Sequence, residues 1–345
     1  MDSSRRDFVK AALAALPVSG TVLNAAEGAG NSKTGGVQLG VQTYSFHDIL
    51  NDGQNHADAI IQKMLACGLY SCELFGCQIE PGTLTGQIPP VADCPKPFLG
   101  CSAAKGGSAR NPWAWEFQRL EGKARDAARA KQKQWRETVS LDYFKAIRKK
   151  FNDAGITIYS YNPIDVGLEF SDLEVDHVFQ MAKALGARAV NISTTMAALK
   201  RLVPFAEKNE IIVAPHGHSV TWDPEAFSIR ATFEKAFALS KWVGANLDIG
   251  HYTATGENPV DFIRAFHGRI TNLHLKDRKR NKSKTEEDGA SVAWGEGDTP
   301  IRDVLQLLKT EKYPIPAFIE YEHAGTADPV TEVKKAYEIC KRALA

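Results

Sequence analysis

Asn246-Leu-Asp-Ile-Gly-His-Tyr252 and Asn272-Leu-His-Leu-Lys-Asp277 decide the fold. Each begins as a short apolar strand and ends in side chains that bind metals. Side chains of a strand alternate between its faces, so Asp248 shares a face with Asn246, while Leu247 and Ile249 take the other. In the second stretch Asn272, His274 and Lys276 share one face, with Leu273 and Leu275 opposite. Neighbouring strands therefore aim a carboxylate and an imidazole the same way, at the end where a loop begins. A divalent-metal site at the mouth of a parallel barrel needs that arrangement. Polar strand ends that merely cap the next helices are the plainer account of these two stretches alone, and the rest of the chain decides between them.

Working outward, strand and helix patterns alternate from Gly36 onward. Strands are expected at residues 37–46, 69–75, 156–162, 187–193, 211–216, 245–249, 270–276 and 317–321. Helical spacing fills 56–67, 141–154, 173–185, 196–208, 225–242, 259–266, 301–310 and 330–344. Eight strand–helix units in strict alternation predict an α/β fold, a closed parallel (β/α)8 TIM barrel with a long insertion after strand two. The strands are short, rich in Val and Ile and bounded by Gly or Pro, as strands buried on both faces should be. A doubly wound open sheet usually announces a Gly-rich phosphate turn after its first strand, and none is present.

A barrel places function at the C-terminal strand ends. Strand one ends in Gln42-Thr-Tyr-Ser-Phe46, strand two offers Glu73 and strand three Asn162. Strand five ends in Ala214-Pro-His-Gly-His-Ser219, strand six in Asp248 with His251 just past it, strand seven in His274 and Lys276, and strand eight in Glu320, with Glu322 and His323 beyond. His216, Asp248, His274 and Glu320 thus come from four consecutive strand ends. Two imidazoles and two carboxylates suit one Mn²⁺, Zn²⁺, Co²⁺ or Fe²⁺ better than Mg²⁺, which prefers oxygen.

The chain has 345 residues, 43% of them hydrophobic, enough for one large domain with a full core. Its formal net charge of +1 argues against polyanion binding as the main task. Past the N-terminus no apolar run approaches the roughly 20 residues of a membrane span. Ser4-Arg5-Arg6-Asp7-Phe8-Val9-Lys10 has the twin-arginine pattern, and a mild apolar stretch leads to small residues at Ala25 and Ala26. Residues 1–26 are therefore expected to be an export signal, 27–36 a linker and 37–345 the barrel, in a periplasmic or other extracytoplasmic location. Of six cysteines, Cys67 and Cys72 read as small buried hydrophobes, Cys94 and Cys101 are the expected disulfide pair, and Cys77 and Cys340 carry no assignment. The insertion, 76–140, has a Gly/Pro-rich part at 76–113, expected as a lid or lip. A polar, mostly basic helix follows at 116–137. Trp113, Trp115 and Trp135 either wall a sugar site or anchor the insertion, the anchor being the better reading for Trp135. Trp222 and Trp294 are better pocket candidates.

Leu247-Asp-Ile-Gly-His251, Leu273-His-Leu-Lys-Asp277, Gly295-Glu-Gly297 and Ile319-Glu-Tyr-Glu322 together resemble the xylose-isomerase-like TIM barrels, a superfamily of sugar isomerases and epimerases that also includes abasic-site endonucleases. More narrowly the chain is similar to an exported group known as sugar phosphate isomerase/epimerases. The resemblance runs from about residue 37 to the C-terminus. It implies that Asp248, His274 and Glu320 are metal ligands, with His251 a ligand or a substrate contact. It also implies a departure, since these epimerases usually carry a glutamate where this chain has His216. Imidazole keeps a ligand and a base but disturbs a cycle that relies on two glutamates. Endonucleases supply Asp-x-His just before Gly-Glu-Gly, whereas Gly289-Ala-Ser-Val-Ala-Trp294 has no ligand there. The basic run 276–284 reads as a solvated loop, and no nucleic-acid partner is expected.

The expected chemistry is proton abstraction next to a sugar carbonyl by a metal-dependent isomerase or epimerase. Glu320, His216 and Lys276 are the candidate acid–base groups, and Glu73, His218, His251, Trp222, Trp294 and Gln42 the candidate carbohydrate contacts. Elimination from a 3-keto-glycoside by a lyase or hydratase is the alternative outcome, and a non-catalytic sugar-binding barrel the alternative class.

Overall fold

The computed structural model describes residues 30–49, 54–80, 122–163, 166–285, 289–323 and 327–345. Residues 1–26, expected as an export signal, and Cys94, Cys101, Trp113 and Trp115 lie outside them. Strands β2 (Val37–Gln42), β3 (Ser71–Phe75), β4 (Thr157–Asn162), β5 (Ala189–Ile192), β6 (Ile212–Pro215), β7 (Ala245–Asp248), β8 (Ile270–Leu275) and β9 (Ala317–Ile319) form one sheet. Its order is β6-β5-β4-β3-β2-β9-β8-β7, and every adjacent pair is parallel. Parallel bridges Val213–Val243 and His216–Asn246 join β6 to β7. The eight strands thus close into the expected (β/α)8 barrel.

The surrounding helices are α1 (Ala57–Cys67), α2 (Gly122–Thr138), α3 (Leu141–Asp153), α4 (Asp172–Leu185), α5 (Met196–Asn209), α6 (Arg230–Phe237), α7 (Ile249–Ala254), α8 (Pro259–Phe266), α9 (Ile301–Glu311) and α10 (Pro329–Leu344). Local signals set their ends. Ser171 and Glu174 form a reciprocal capping box at the start of α4, and Gly186 ends it with φ 77°. Leu39, Val41, Leu74, Val213, Leu247, Leu273 and Ile319, all fully buried, belong to the single large core between strands and helices. Such burial on both faces is why the strands read as near-continuous apolar runs.

Three boundaries differ from the sequence expectation. The linker was expected to reach Gly36, but β1 (Lys33–Thr34) pairs antiparallel with β2, and buried Ser32 donates from Oγ to the carbonyl of Leu39 at 2.7 Å. The helix expected at 225–242 shrinks to α6. Glu225 instead caps α5, its carbonyl accepting from Met196 N–H at 2.9 Å and its carboxylate from Ala197 N–H at 2.8 Å. Finally, α7 springs directly from Asp248, whose carboxylate accepts from His251 N–H at 2.7 Å and caps the helix.

The described end of the insertion, α2, docks on the barrel through buried charge. Arg136 Nε lies 3.0 Å from Glu80 Oε2, and its Nη2 donates to Pro163 O at 2.7 Å. Arg129 forks onto both oxygens of Glu174 at 2.7 and 2.8 Å. Trp135 meets Tyr143 and Phe144 edge-on, at centroid distances of 6.1 and 6.0 Å, and so anchors this helix to α3. Cys67, Cys72, Cys77 and Cys340 are all buried.

Candidate metal centre

Two irregularities in the parallel ladder fall beside the polar residues of the barrel interior. The register shifts between Cys72 and Glu73 in β3, and between Ala245 and Asn246 in β7. Such bulges re-aim side chains. After the second shift Asn246 stands beside Asn272 and Asp248 beside His274. After the first, Glu73 stands beside Ser160, which donates to its carboxylate at 3.1 Å.

Glu73 has no exposed surface. Its carboxylate accepts from Gln42 Nε2 at 2.6 Å, Asn272 Nδ2 at 3.0 Å, Asn162 Nδ2 at 3.3 Å, Asn246 Nδ2 at 3.5 Å and Asn191 Nδ2. It also lies 3.1 Å from Nε2 of His274. Burial alone would raise its pKa, but the pairing with His274 and the amide donors outweigh it, holding the group below the usual carboxylate range. Glu73 and Gln42, expected as carbohydrate contacts, thus sit in a buried polar layer beneath the strand ends.

Above that layer, His216, Asp248, His274 and Glu320 each bring one ligand atom within 4.8 Å of the others, all four buried. His274 Nδ1 is 3.0 Å from Glu320 Oε2. Against the cost of burial, Glu320 and Glu73 on either side hold the His274 imidazole well above its ordinary pKa. The Asn246 amide nitrogen faces two acceptors, Glu73 Oε2 and the carbonyl of Asn272, each at 3.5 Å. Its oxygen therefore turns to His216, 2.5 Å from Nδ1. That bond puts the proton of His216 on Nδ1 and its lone pair on Nε2, which stands 4.0 Å from Asp248 Oδ2. Burial, then the nearby His274, lowers the His216 pKa and favours the neutral ring.

Lys276 Nζ lies 2.9 Å from Asp248, 2.9 Å from Glu320 and 2.5 Å from Glu322. Burial opposes the charge, but Asp248, Glu320 and Glu322 raise the Lys276 pKa, so it remains an ammonium. Burial would likewise raise Glu320, yet Lys276 and His274 hold it well below its ordinary value, ionised at neutral pH. The donor set fits a divalent cation. Asp248 Oδ2 is buried and makes no hydrogen bond despite Lys276 beside it, while His274 Nε2 faces Glu73 and Nδ1 faces Glu320 in the cluster. Four carboxyl groups, of Asp248, Glu320, Glu322 and Glu73, stand around two basic ones, Lys276 and His274, and a divalent ion would take the place of the proton that Glu320 and Glu73 favour on His274.

His218 and His251 adjoin this cluster. Their ring centroids are 4.8 Å apart, and that of His218 is 4.6 Å from His216. Ser193 Oγ meets His218 Nε2 at 2.9 Å, and Ser219 Oγ meets His251 Nδ1 at 3.2 Å. Burial, then neighbouring positive or imidazole groups, holds both rings well below the ordinary histidine pKa. Trp222 stands 37% exposed in the loop after β6, and Trp294, after β8, is half-buried against the core. The loop carrying Trp294 is tied down by Asp277, whose carboxylate accepts from N–H of Gly295 at 2.8 Å, Gly297 at 2.9 Å and Thr299 at 3.2 Å. Only glycine fits at 297, where a Cβ would stand 1.9 Å from Asp277 Oδ1.

Sequence reading did not assign roles to Asn191, Asn246, Asn272, Ser193, Ser219 or Glu322. Strand alternation carried the signal for Asn246 and Asn272, which share faces with Asp248 and His274. It also missed an aromatic rim over β2, β3 and β9: Tyr44 packs 5.2 Å from Phe75, and His47 packs 5.0 Å from Tyr321.

Residues 124–343 match the family profile described as xylose isomerase-like TIM barrel. Among solved structures, a sugar phosphate isomerase/epimerase from Parabacteroides distasonis is 16% identical, with a TM-score of 0.52, 90% of this chain and 96% of that chain being covered. The probable 3-DHS dehydratase AsbF from Bacillus anthracis is 12% identical, with a TM-score of 0.54 and coverage of 88% and 98%. The IOLI protein with a bound zinc atom is 14% identical, with a TM-score of 0.52 and coverage of 89% and 96%. At these identities the likeness is one of fold. No curated protein matches the chain.

Proposed function

The chain belongs to the xylose isomerase-like TIM barrel family, and from that premise we propose a divalent-metal-dependent isomerase or epimerase that abstracts a proton next to a sugar carbonyl. The observation that carries this reading is the convergence of His216, Asp248, His274 and Glu320. A structural neighbour of the same fold is a sugar phosphate isomerase/epimerase, and another holds zinc. His216, Asp248, His274 and Glu320 would hold the ion, Mn²⁺, Zn²⁺, Co²⁺ or Fe²⁺ suiting this mixed donor set. When bound, it supplies Lewis-acid stabilisation of the oxyanion that forms as the adjacent C–H bond breaks.

The residues of the chain do the rest. Asp248 and His274, almost wholly buried, serve as fixed ligands, while Glu320, 5% exposed at the strand end, is the group that takes the proton. Lys276 keeps the Glu320 carboxylate ionised and adds positive charge beside the developing oxyanion. It acts as a cation, in place of the base role expected from the sequence, because three carboxylates hold its proton. His216 acts as a ligand in place of the acid–base role expected from the sequence, because Nδ1 is engaged by Asn246 and its only lone pair, on Nε2, goes to the ion. Glu73 orients His274. The aromatic rim of Tyr44 and Phe75 offers apolar faces to sugar C–H groups, with Trp222 and Trp294 as further contacts. Residues 1–26 would direct export, which favours an unphosphorylated carbohydrate.

The test is solvent exchange. Protein stripped with a chelator and reloaded with Mn²⁺ is incubated with ketoses and 3-keto-glycosides in D2O and followed by NMR. Deuterium should enter next to the carbonyl only in the loaded protein, and Glu320→Gln should slow this by about 10²–10⁴-fold. Exchange that survives both chelation and Glu320→Gln would defeat the reading. A lyase is the second reading, favoured by an imidazole at position 216 and by the dehydratase among the structural neighbours; release of an aglycone from the 3-keto-glycoside would select it.

A further inference from the structure

A neutral imidazole binds a cation through whichever nitrogen lacks the proton. For His216 two acceptors compete for that proton. Asn246 Oδ1 stands 2.5 Å from Nδ1, while Asp248 Oδ2, buried and without a hydrogen bond, stands 4.0 Å from Nε2. A proton on Nε2 would turn toward Asp248 and set a hydrogen between two ligands. A proton on Nδ1 leaves the Nε2 lone pair facing Asp248, where both can meet one cation. The direction of the Asn246 amide decides between the two, and that direction is set from below. Glu73 only accepts, so the amides of Gln42, Asn162, Asn191, Asn246 and Asn272 all present their nitrogen to it. Turned over, the Asn246 amide would bring its oxygen against Glu73 Oε2 and the carbonyl of Asn272, and its N–H groups against Nδ1 of His216. The backbone holds the pair together, since His216 and Asn246 are bridged in parallel across the closing seam and Gly217 N–H donates to Asn246 O at 3.4 Å.

We propose that Asn246 is a positioning residue for the ion: anchored on Glu73, it keeps the His216 proton on Nδ1 and so presets Nε2 as a ligand facing Asp248. One buried carboxylate thereby orients both imidazoles of the cluster. It approaches His274 directly, at 3.1 Å, and reaches His216 through the Asn246 amide. Holding the far nitrogen of a ligating histidine fixes its tautomer and ring orientation, and loss of such an outer partner typically lowers metal affinity about 10–100-fold. The role of Asn246 toward the ion rests on the metal centre proposed above, whereas the tautomer of His216 is a property of the protein alone and is measured without metal.

Nitrogen-15 NMR of the histidine rings in the metal-free full chain reads the tautomer, with His216→Gln to assign the signals, and calorimetry with Mn²⁺ reads the affinity. Wild-type His216 should carry its proton on Nδ1. Asn246→Leu should let the proton pass to Nε2 and weaken Mn²⁺ binding about 10–100-fold. Asn246→Asp still accepts from Nδ1 and should keep both the tautomer and most of the affinity. Both variants take the same N–H donor from Glu73, so a difference between them separates positioning of His216 from packing around Glu73. If wild type binds Mn²⁺ and Asn246→Leu matches it in tautomer or in affinity, the positioning role is overturned and the metal centre stands. Should Asn246→Leu fail to fold, the other two proteins decide: a proton on Nε2 in either wild type or Asn246→Asp overturns the proposal. If wild type shows the Nδ1 tautomer but binds no Mn²⁺, the metal centre falls, and the role of Asn246 toward the ion falls with it.

Discussion

Glu73 carries a full negative charge with no surface open to water, and amides from β2, β4, β5, β7 and β8 turn their N–H groups toward it. Its carboxylate stands 3.1 Å below His274, so it sets the orientation and basicity of that imidazole. Glu73→Gln replaces an acceptor with a group that must also donate, among neighbours that are already donors. Metal affinity should fall about 10–100-fold, as outer-shell changes at metal sites do, measured by competition with a chromogenic chelator. An unchanged affinity would remove Glu73 from the account. The convergence of His216, Asp248, His274 and Glu320 was legible in the sequence because strand alternation places them on one face at successive strand ends. The asparagines around Glu73 were harder to read, because Asn at a strand end serves equally well as a helix cap, and only the closed barrel brings five strands to one carboxylate.

Helix α2 joins the insertion to the barrel through a buried ion pair. Arg136 and Glu80 are each 1% exposed, and Phe170 lies 5.5 Å from the guanidinium carbon. Arg136→Ala strips Glu80 of its cation in a buried setting, which costs about 3–5 kcal/mol. Thermal unfolding should show a clear fall in Tm, partly recovered when Glu80→Gln is added. A Tm equal to wild type would mean that the helix contributes nothing to the fold. The sequence announced this helix as polar and mostly basic, without marking any of its arginines as buried; burial of Arg136 depends on Glu80, which lies far away along the chain. The long helix expected at 225–242 failed for a related reason, since Glu225 is spent capping α5. Helical spacing does not register a residue recruited by another element.

At the scale of the whole molecule, eight parallel strands close through the β6–β7 seam, and closure sets His216 next to Asn246. That one junction links the imidazole at the end of β6 to the carboxylate at the end of β7 and the imidazole at the end of β8. The count of strand–helix units and the apolar strands made the barrel legible early, whereas the bulges at Glu73 and Asn246 leave no mark in a sequence. The one at Asn246 aligns Asp248 with His274 in register, and the one at Glu73 sets that carboxylate beside Ser160. Anomalous diffraction from crystals of the Mn²⁺-loaded protein tests the central claim most directly. The account predicts one strong peak at about 2.0–2.3 Å from donor atoms of His216, Asp248, His274 and Glu320. A peak elsewhere with none of these four residues within reach, or no peak at all in protein that chemical analysis shows to be loaded, would contradict it.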